Sequence, residues 1–422
     1  MATPSKIHLT IEDSGVVTNN AQTALSARFH NHIVHQLLSL YGLGAPPSVL
    51  ETQYAHNASY QRPPQLLEER VIQDMSNPSH FKQYLGNEKY YRDFLIFFQN
   101  EMEKKGWQNV VNEYLFDQGE IAQEVLIRMF AGFYHPIIHL GFGIEFQQPA
   151  IVAEALAQAC VHDDWIKNAL LPAEEAAKSL SKPSNKTLLQ LIKEIAADKK
   201  LSTAAEWHDG NKIRDGILKR APEEALKYAS QWTVSESELE RKTVEMIDAA
   251  IYVTATAQHP PKQVKFDFYF MHCVTCSIFF QSFNAQPWIP TAAKVRLLEW
   301  KGRVDLIMYP SRRSPPLYED EILNYDPRPS DNKETEWSGI FHRLFSFPDD
   351  GHAIKFARAV RNGELMSAKY DKEEWCKIHG PTWEKIGNMI IDSVEDTGSN
   401  WARSVGFEEA WKEFGDRPKE KL

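Results

Sequence analysis

From Asp93 to Phe116 the apolar residues Phe94, Phe97, Phe98, Met102, Val110, Val111, Tyr114 and Leu115 fall mostly three or four positions apart. That spacing gathers side chains on one face of an α-helix. The pattern continues through Ile121, Val125, Met129 and Phe133, and returns at Val244, Ile247 and Ile251 before a break at His259-Pro260-Pro261. Strict alternation, the mark of a half-buried strand, is confined to Lys6–Ile11. A chain patterned in this way must bury many helical stripes against one another, so the expected fold is mostly α. The breaks at Gly44-Ala45-Pro46-Pro47, Pro63-Pro64, Ser179–Lys186 and Ser311–Pro316 are too short for interdomain linkers. The expectation is therefore a single large multi-helix domain over 1–422, with a more polar segment at 173–232 forming outer helices or a flap.

Composition narrows the partners. Lys plus Arg number 47 against 57 Asp plus Glu, a net charge of −10, which argues against binding nucleic acid through phosphates. The four cysteines are too few and too unevenly spaced for a disulfide scaffold, so reduced thiols are expected. The lone Cys273-Val274-Thr275-Cys276 is a weak redox or zinc signal, and buried structural thiols are the stronger reading. No basic segment followed by an apolar one opens the chain, and the apolar stretches Val125–Phe146 and Phe266–Phe280 are broken by Arg128, His135, His139 and His272. Both stretches read as core helices of a cytoplasmic protein with no membrane partner. Aromatic residues reach 11%, which suits a core or a pocket for flat apolar matter; Tyr134, Phe142, Phe268 and Tyr269 are candidates for stacking on such a ligand.

Several of the 15 histidines lie in apolar helical surroundings, where an unpaired imidazole is costly unless hydrogen-bonded or bound to a metal. His32 stands at the head of a helix ending near Gly42 or Gly44, while His56 falls in a loop-like stretch. His135 and His139 are four apart, on one helical face if Pro136 occupies the first turn. Pro136 stands where a zincin carries its glutamate, so this is not that motif. His272 follows an aromatic run, and His352 begins Asp350-Gly351-His352-Ala353-Ile354-Lys355, in which Asp349 or Asp350 can cap the helix. Lys355 shares a face with His352. A protonated lysine beside a metal would repel it, so Lys355 is turned to solvent, neutral as a base, or modified to an anionic carbamate. Histidines on separate helices suit iron, zinc, copper or nickel alike. No dinucleotide fingerprint, phosphate loop or nucleophile elbow is present: Gly42-Leu43-Gly44 and Gly141-Phe142-Gly143 sit in helical context.

Taken in order, Asn31-His32 running into Leu37–Ala45, Tyr60-Gln61-Arg62-Pro63, His135–Gly141, His272–Thr275 and Asp350–Lys355 resemble the questin oxidase family of fungal polyketide pathways. The resemblance spans nearly the whole chain. It implies oxidative opening of the central ring of an anthraquinone to a benzophenone, a Baeyer–Villiger-like step using O2 and, in one description, NADPH. Some members look like non-haem iron oxygenases in which four histidines and a carboxylated lysine hold Fe(2+). Carried onto this chain, those are His135, His272 and His352, with His32 as the fourth and Lys355 as the carboxylated lysine; His56 and His139 are substitutes, and His352 and Lys355 are also the expected catalytic residues. Lys301 is a second candidate for an unusual lysine, against a plain exposed or salt-bridged role. Two other readings stay open: an NADPH-dependent Baeyer–Villiger monooxygenase without a tightly bound metal, and a helical protein that binds aromatic metabolites without changing them.

Overall fold

The computed structural model describes residues 31–59, 66–328 and 335–417. The Lys6–Ile11 strand and the Tyr60–Pro63 motif lie outside the described residues. Within them the chain is predominantly helical, and the only β contacts are isolated bridges, Lys262 with Asp416 and Asp267 with Ala402. The elements that build the interior are α1 (His32–Gly42), α2 (Tyr91–Lys105), α3 (Glu120–Met129), α4 (His135–Glu145), α5 (Pro149–Val161), α6 (Leu239–Thr256), α7 (Phe268–Ser277), α8 (Thr291–Ser311), α9 (His352–Ser367) and α10 (Thr382–Glu395).

The periodic stripe at 93–116 forms α2, stops at Gly106, and resumes as Trp107–Val111 with a π-helical turn at Asn112–Phe116. Its phenylalanines nest on one another: Phe81, Phe94, Phe97, Phe98 and Tyr114 are buried with ring centroids 5.2–6.4 Å apart. Helix α5 packs between α2 and α4 and is buried on every side from Ile151 to Cys160, its residues there apolar except Glu154 and Gln158, as only a helix held in a core can be. Gly141 allows the closest approach in this region, since a Cβ there would stand 2.1 Å from the Phe279 ring. That close packing is the physical role of the Gly-Phe-Gly stretch.

Two expectations fail locally. Phe133 does not extend the helix of Ile121, Val125 and Met129: α3 ends at Met129, and the 120–129 and 132–145 segments are bent 73° from each other. Pro136 has no N–H to give to an upstream turn, so the helix can only restart there, with Pro136 in the first turn of α4. His56 likewise lies not in a loop but on the exposed face of a helix, Pro47–Ala58. That helix is held by polar anchors: buried Gln53 donates to the carbonyls of Phe345 and Phe347 at 3.1 and 3.3 Å, and Asn57 to that of Asp349 at 3.4 Å.

The segment 173–232 consists of short helices and loops packed on α6 and α8. Trp232, fully buried, lies against Gly302 and donates its indole N–H to Leu298 O at 3.3 Å. Among the described residues no single helix is long and apolar enough to cross a membrane.

Candidate metal centre

Four histidines from four helices meet in the interior. His32 opens α1, His135 opens α4, His272 lies inside α7 and His352 opens α9. All four are at most 5% exposed. Ring centroids are 5.1 Å apart for His32 and His135, 4.7 Å for His32 and His352, 4.7 Å for His135 and His272, and 5.1 Å for His272 and His352. The ligand atoms of His32, His135 and His352 all lie within 4.8 Å of one another.

Each ring is aimed by an oxygen at Nδ1. His135 donates to Gly132 O at 2.7 Å and His272 to Phe268 O at 2.6 Å. His32 donates to Asp350, at 3.2 Å to its carbonyl and 3.1 Å to its carboxylate, and His352 donates to the other carboxylate oxygen of Asp350 at 2.5 Å. A carbonyl or carboxylate can only accept, so the Nδ1 atoms carry the hydrogens and the Nε2 lone pairs turn to the centre. Metal-binding histidines are oriented in this way by their outer partners.

The local sequence explains the aim. Gly132, Phe133 and Tyr134 take φ values of +54°, +57° and +68°, a left-handed turn that returns the Gly132 carbonyl to His135. The Tyr134 hydroxyl, fully buried, donates to Asp305 at 2.8 Å, and Asp305 pairs with Lys301, also fully buried. Lys301 therefore has the salt-bridged role, not an exposed one. On the opposite side Gly351, at φ +99°, comes so close to α1 that a Cβ would stand 3.0 Å from Gln36 N. Asp349 caps α9, accepting from Ala353 N at 2.6 Å and from Asp350 N at 2.8 Å. Asp267 caps α7 through Tyr269 N and Phe270 N at 2.8 and 3.1 Å, and its other oxygen takes Ser404 N and Val405 N at 2.6 and 3.0 Å.

Burial disfavours charge on two of the rings. Burial, with the charges of His352 and Lys355, holds His272 well below the usual imidazole range. Burial brings His352 to about 4 in spite of Asp350. Burial works to raise Asp350, but His352 and His32 outweigh it and hold its carboxyl well below the ordinary value. The amine of Lys355, 3% exposed, is lowered by burial to about 8.

The predicted residues thus separate. His32, His135, His272 and His352 come together. His56 is remote on the surface of its helix, and His139 faces away from the cluster toward Glu154, donating Nε2 to it at 2.9 Å. Lys355 reaches His35 Nδ1 at 3.1 Å, beside the cluster. Sequence reasoning missed His35, three residues from His32 on the same helix, and did not see Asp350 as the group that aims two rings. Tyr134 and Phe142 are used in packing, whereas Phe268 stands 4.5 Å from His272 and 5.3 Å from His352, and Tyr269 4.8 Å from the partly exposed Phe133. All four cysteines are buried and free.

A buried set of imidazoles with inward lone pairs on a helical scaffold defines a site able to bind a transition metal. The chain belongs to the questin oxidase-like family, which its residues 29–360 match. It is 40% identical over 393 residues to a Baeyer-Villiger monooxygenase of Cryptosporiopsis sp., covering 91% of this chain and 88% of that protein. It is 39% identical over 389 residues to a Baeyer-Villiger oxidase of Pestalotiopsis fici, covering 90% and 87%. To the questin oxidase of Aspergillus terreus it is 35% identical over 388 residues, covering 90% and 86%. The protein is an oxygenase of this family.

Proposed function

We propose that this chain is a non-haem iron oxygenase that opens the central ring of an anthraquinone-like polyketide to a benzophenone-type product, in the cytoplasm and with O2 as co-substrate. His32, His135, His272 and His352 are its metal ligands, and Lys355, carboxylated by carbon dioxide, is the fifth. The observation that carries this reading is the pair of orphaned atoms at the centre: Nε2 of His272 and of His352 are buried without a hydrogen-bond partner. Two buried acceptors left bare cost several kcal/mol unless something fills the space between them. A cation does so.

Bound Fe(2+) supplies the redox chemistry with oxygen that no side chain possesses. The protein's part is position and charge. Asp350 fixes two rings with one carboxylate, and the buried walls exclude water from the centre. Lys355, brought down to about 8, carries a fraction of neutral amine near neutral pH. That nitrogen adds to carbon dioxide with loss of one proton, giving a carbamate whose oxygens are anionic and whose nitrogen keeps one hydrogen. Phe268 and Tyr269, with Phe133 at the partly exposed edge, offer flat faces beside the cluster for an aromatic substrate, and the Arg403 guanidinium lies 4.2 Å over the Phe268 ring. One atom of O2 enters beside the central carbonyl of the substrate, the other leaves as water with two protons and the two electrons that reduction of the quinone by NADPH has supplied, and the ester formed is hydrolysed by a second water. NADPH acts as a reductant of the quinone.

A second reading is an NADPH-dependent Baeyer–Villiger oxidation with no tightly bound metal; the relatives' names, Baeyer-Villiger monooxygenase and oxidase, suit either. Elemental analysis of protein purified anaerobically without a His tag separates the two. The iron reading expects up to one iron per chain, with metal and turnover both lost on His352→Ala. A preparation verified as metal-free that still cleaves substrate overturns it.

A further inference from the structure

Behind the four-histidine cluster, starting at Lys355, runs a chain of buried polar groups whose other members the proposed chemistry does not use. Lys355 Nζ lies 3.1 Å from His35 Nδ1, His35 Nε2 lies 3.1 Å from His139 Nδ1, and His139 Nε2 lies 2.9 Å from Glu154 Oε2. Asn31 Nδ2 donates to the same Glu154 oxygen at 3.0 Å. His35 and His139 are fully buried, and Lys355 and Glu154 are 3% and 6% exposed. The chain crosses from α9 through α1 and α4 to α5, joining the helices that carry three of the four rings to a helix that carries none.

Its direction follows from donor and acceptor chemistry. The Glu154 oxygen that takes the Asn31 N–H is an acceptor, so His139 gives it the hydrogen on Nε2 and keeps a bare Nδ1. His35 must then donate from Nε2 to His139, and its own Nδ1 is left bare to receive an N–H from Lys355. Every form of the lysine nitrogen, whether ammonium, amine or carbamate, has that hydrogen to give.

We propose that Glu154, His139 and His35 are positioning residues: the carboxylate of Glu154 sets the tautomers of two successive imidazoles so that His35 Nδ1 holds the Lys355 nitrogen by its N–H beside the cluster. The consequence is two tautomer classes within one buried group of six histidines. His32, His135, His272 and His352 carry hydrogen on Nδ1, and His35 and His139 carry it on Nε2. The inference rests on the iron reading only for the purpose the anchored lysine serves; the hydrogen-bond order stands by itself.

The test is long-range nitrogen–proton NMR of the metal-free full-length protein labelled with 15N-histidine, assigned by single His→Asn variants. The expected result is Nε2–H at His35 and His139, with Nδ1–H at the four cluster histidines. Glu154→Gln retains an acceptor oxygen and keeps both tautomers; Glu154→Leu removes it, and the His139 and His35 signals become mixtures. A wild-type spectrum with Nδ1–H at His35 or His139, or unchanged tautomers in Glu154→Leu, overturns the proposal, and the first of these needs no variant to fold. A second readout is the carbamate signal of protein equilibrated with 13C-bicarbonate, expected to fall by about ten-fold in Glu154→Leu and to persist in Glu154→Gln. Correct tautomers with no carbamate signal in the wild type leave the positioning chain standing and remove carboxylated Lys355 from the metal reading.

Discussion

His32 Nε2 lies 3.0 Å from His135 Nε2, although both rings have committed their Nδ1 hydrogens to oxygen acceptors. With those hydrogens held at Nδ1, neither Nε2 has one to give the other. The contact becomes attractive with a metal ion between them.

A metal ion therefore gains two ligands and relieves this contact at once. Calorimetric titration of the metal-free protein with Fe(2+) under anaerobic conditions is expected to show tight binding that weakens by about 10-fold or more in His32→Ala. Equal affinity in the variant contradicts the arrangement.

Asp350 bears more of the site than any single ligand, because its two carboxylate oxygens aim His32 and His352 at once. Asp350→Asn keeps the shape but offers one oxygen where two rings need one each. Affinity for the metal, measured by competition with a chromogenic chelator, is expected to fall by about 10- to 100-fold, the usual cost of losing an outer-sphere partner. The unfolding midpoint of the metal-free variant should move far less than that loss implies.

How much of this was readable from residues alone depends on range. Helix content followed from spacing, since the stripe at Phe94, Phe97 and Phe98 is a local pattern that packing had only to confirm. The turn at Gly132–Tyr134 was not legible: a non-glycine left-handed residue such as Phe133 or Tyr134 leaves no local signature and is stabilised by Asp305, 171 residues on from Tyr134. The four clustering histidines were named from a family resemblance, whereas the division of labour between His135, which faces the cluster, and His139, which faces Glu154, arises from the rotation of α4 against α5. Periodicity puts both on neighbouring positions of one helix and cannot tell them apart. Lys355 was named as a site residue, but its partner, His35, lies 320 residues earlier in the chain.

The turn that aims His135 depends on a buried ion pair. Asp305→Asn leaves the Lys301 ammonium, fully buried, without its counter-charge. Urea unfolding is expected to show a loss of about 3–5 kcal/mol, while Tyr134→Phe, which removes only one neutral donor, loses about 1 kcal/mol. Replacing both members in Lys301→Met/Asp305→Leu should recover most of the Asp305→Asn loss. The Tyr134→Phe protein also tests aim apart from stability: it is expected to fold, yet to bind metal more weakly as the Gly132 carbonyl is freed to drift from His135.

Far from the cluster, Asp248 on α6 is fully buried and accepts from Lys377 N at 2.9 Å, Ile378 N at 3.3 Å and the Cys376 thiol at 3.6 Å. Burial outweighs those hydrogen bonds and raises its carboxyl from 3.8 to about 7. The sign of the consequence follows: the folded state binds this proton more tightly than the unfolded chain does, so the contribution is fully present below pH 3.8 and is lost as pH rises through about 7. The change across that window is on the order of 4 kcal/mol. Because many other groups titrate over the same range, the quantity to measure is the stability difference between wild type and Asp248→Asn, by urea unfolding at closely spaced pH values. The amide of that variant has no proton to lose, so the wild type should fall relative to it with each step from pH 4 to 7 and run parallel to it above pH 8. A difference that stays flat across the window shows that the carboxyl is ionised throughout, with its three donors outweighing its burial.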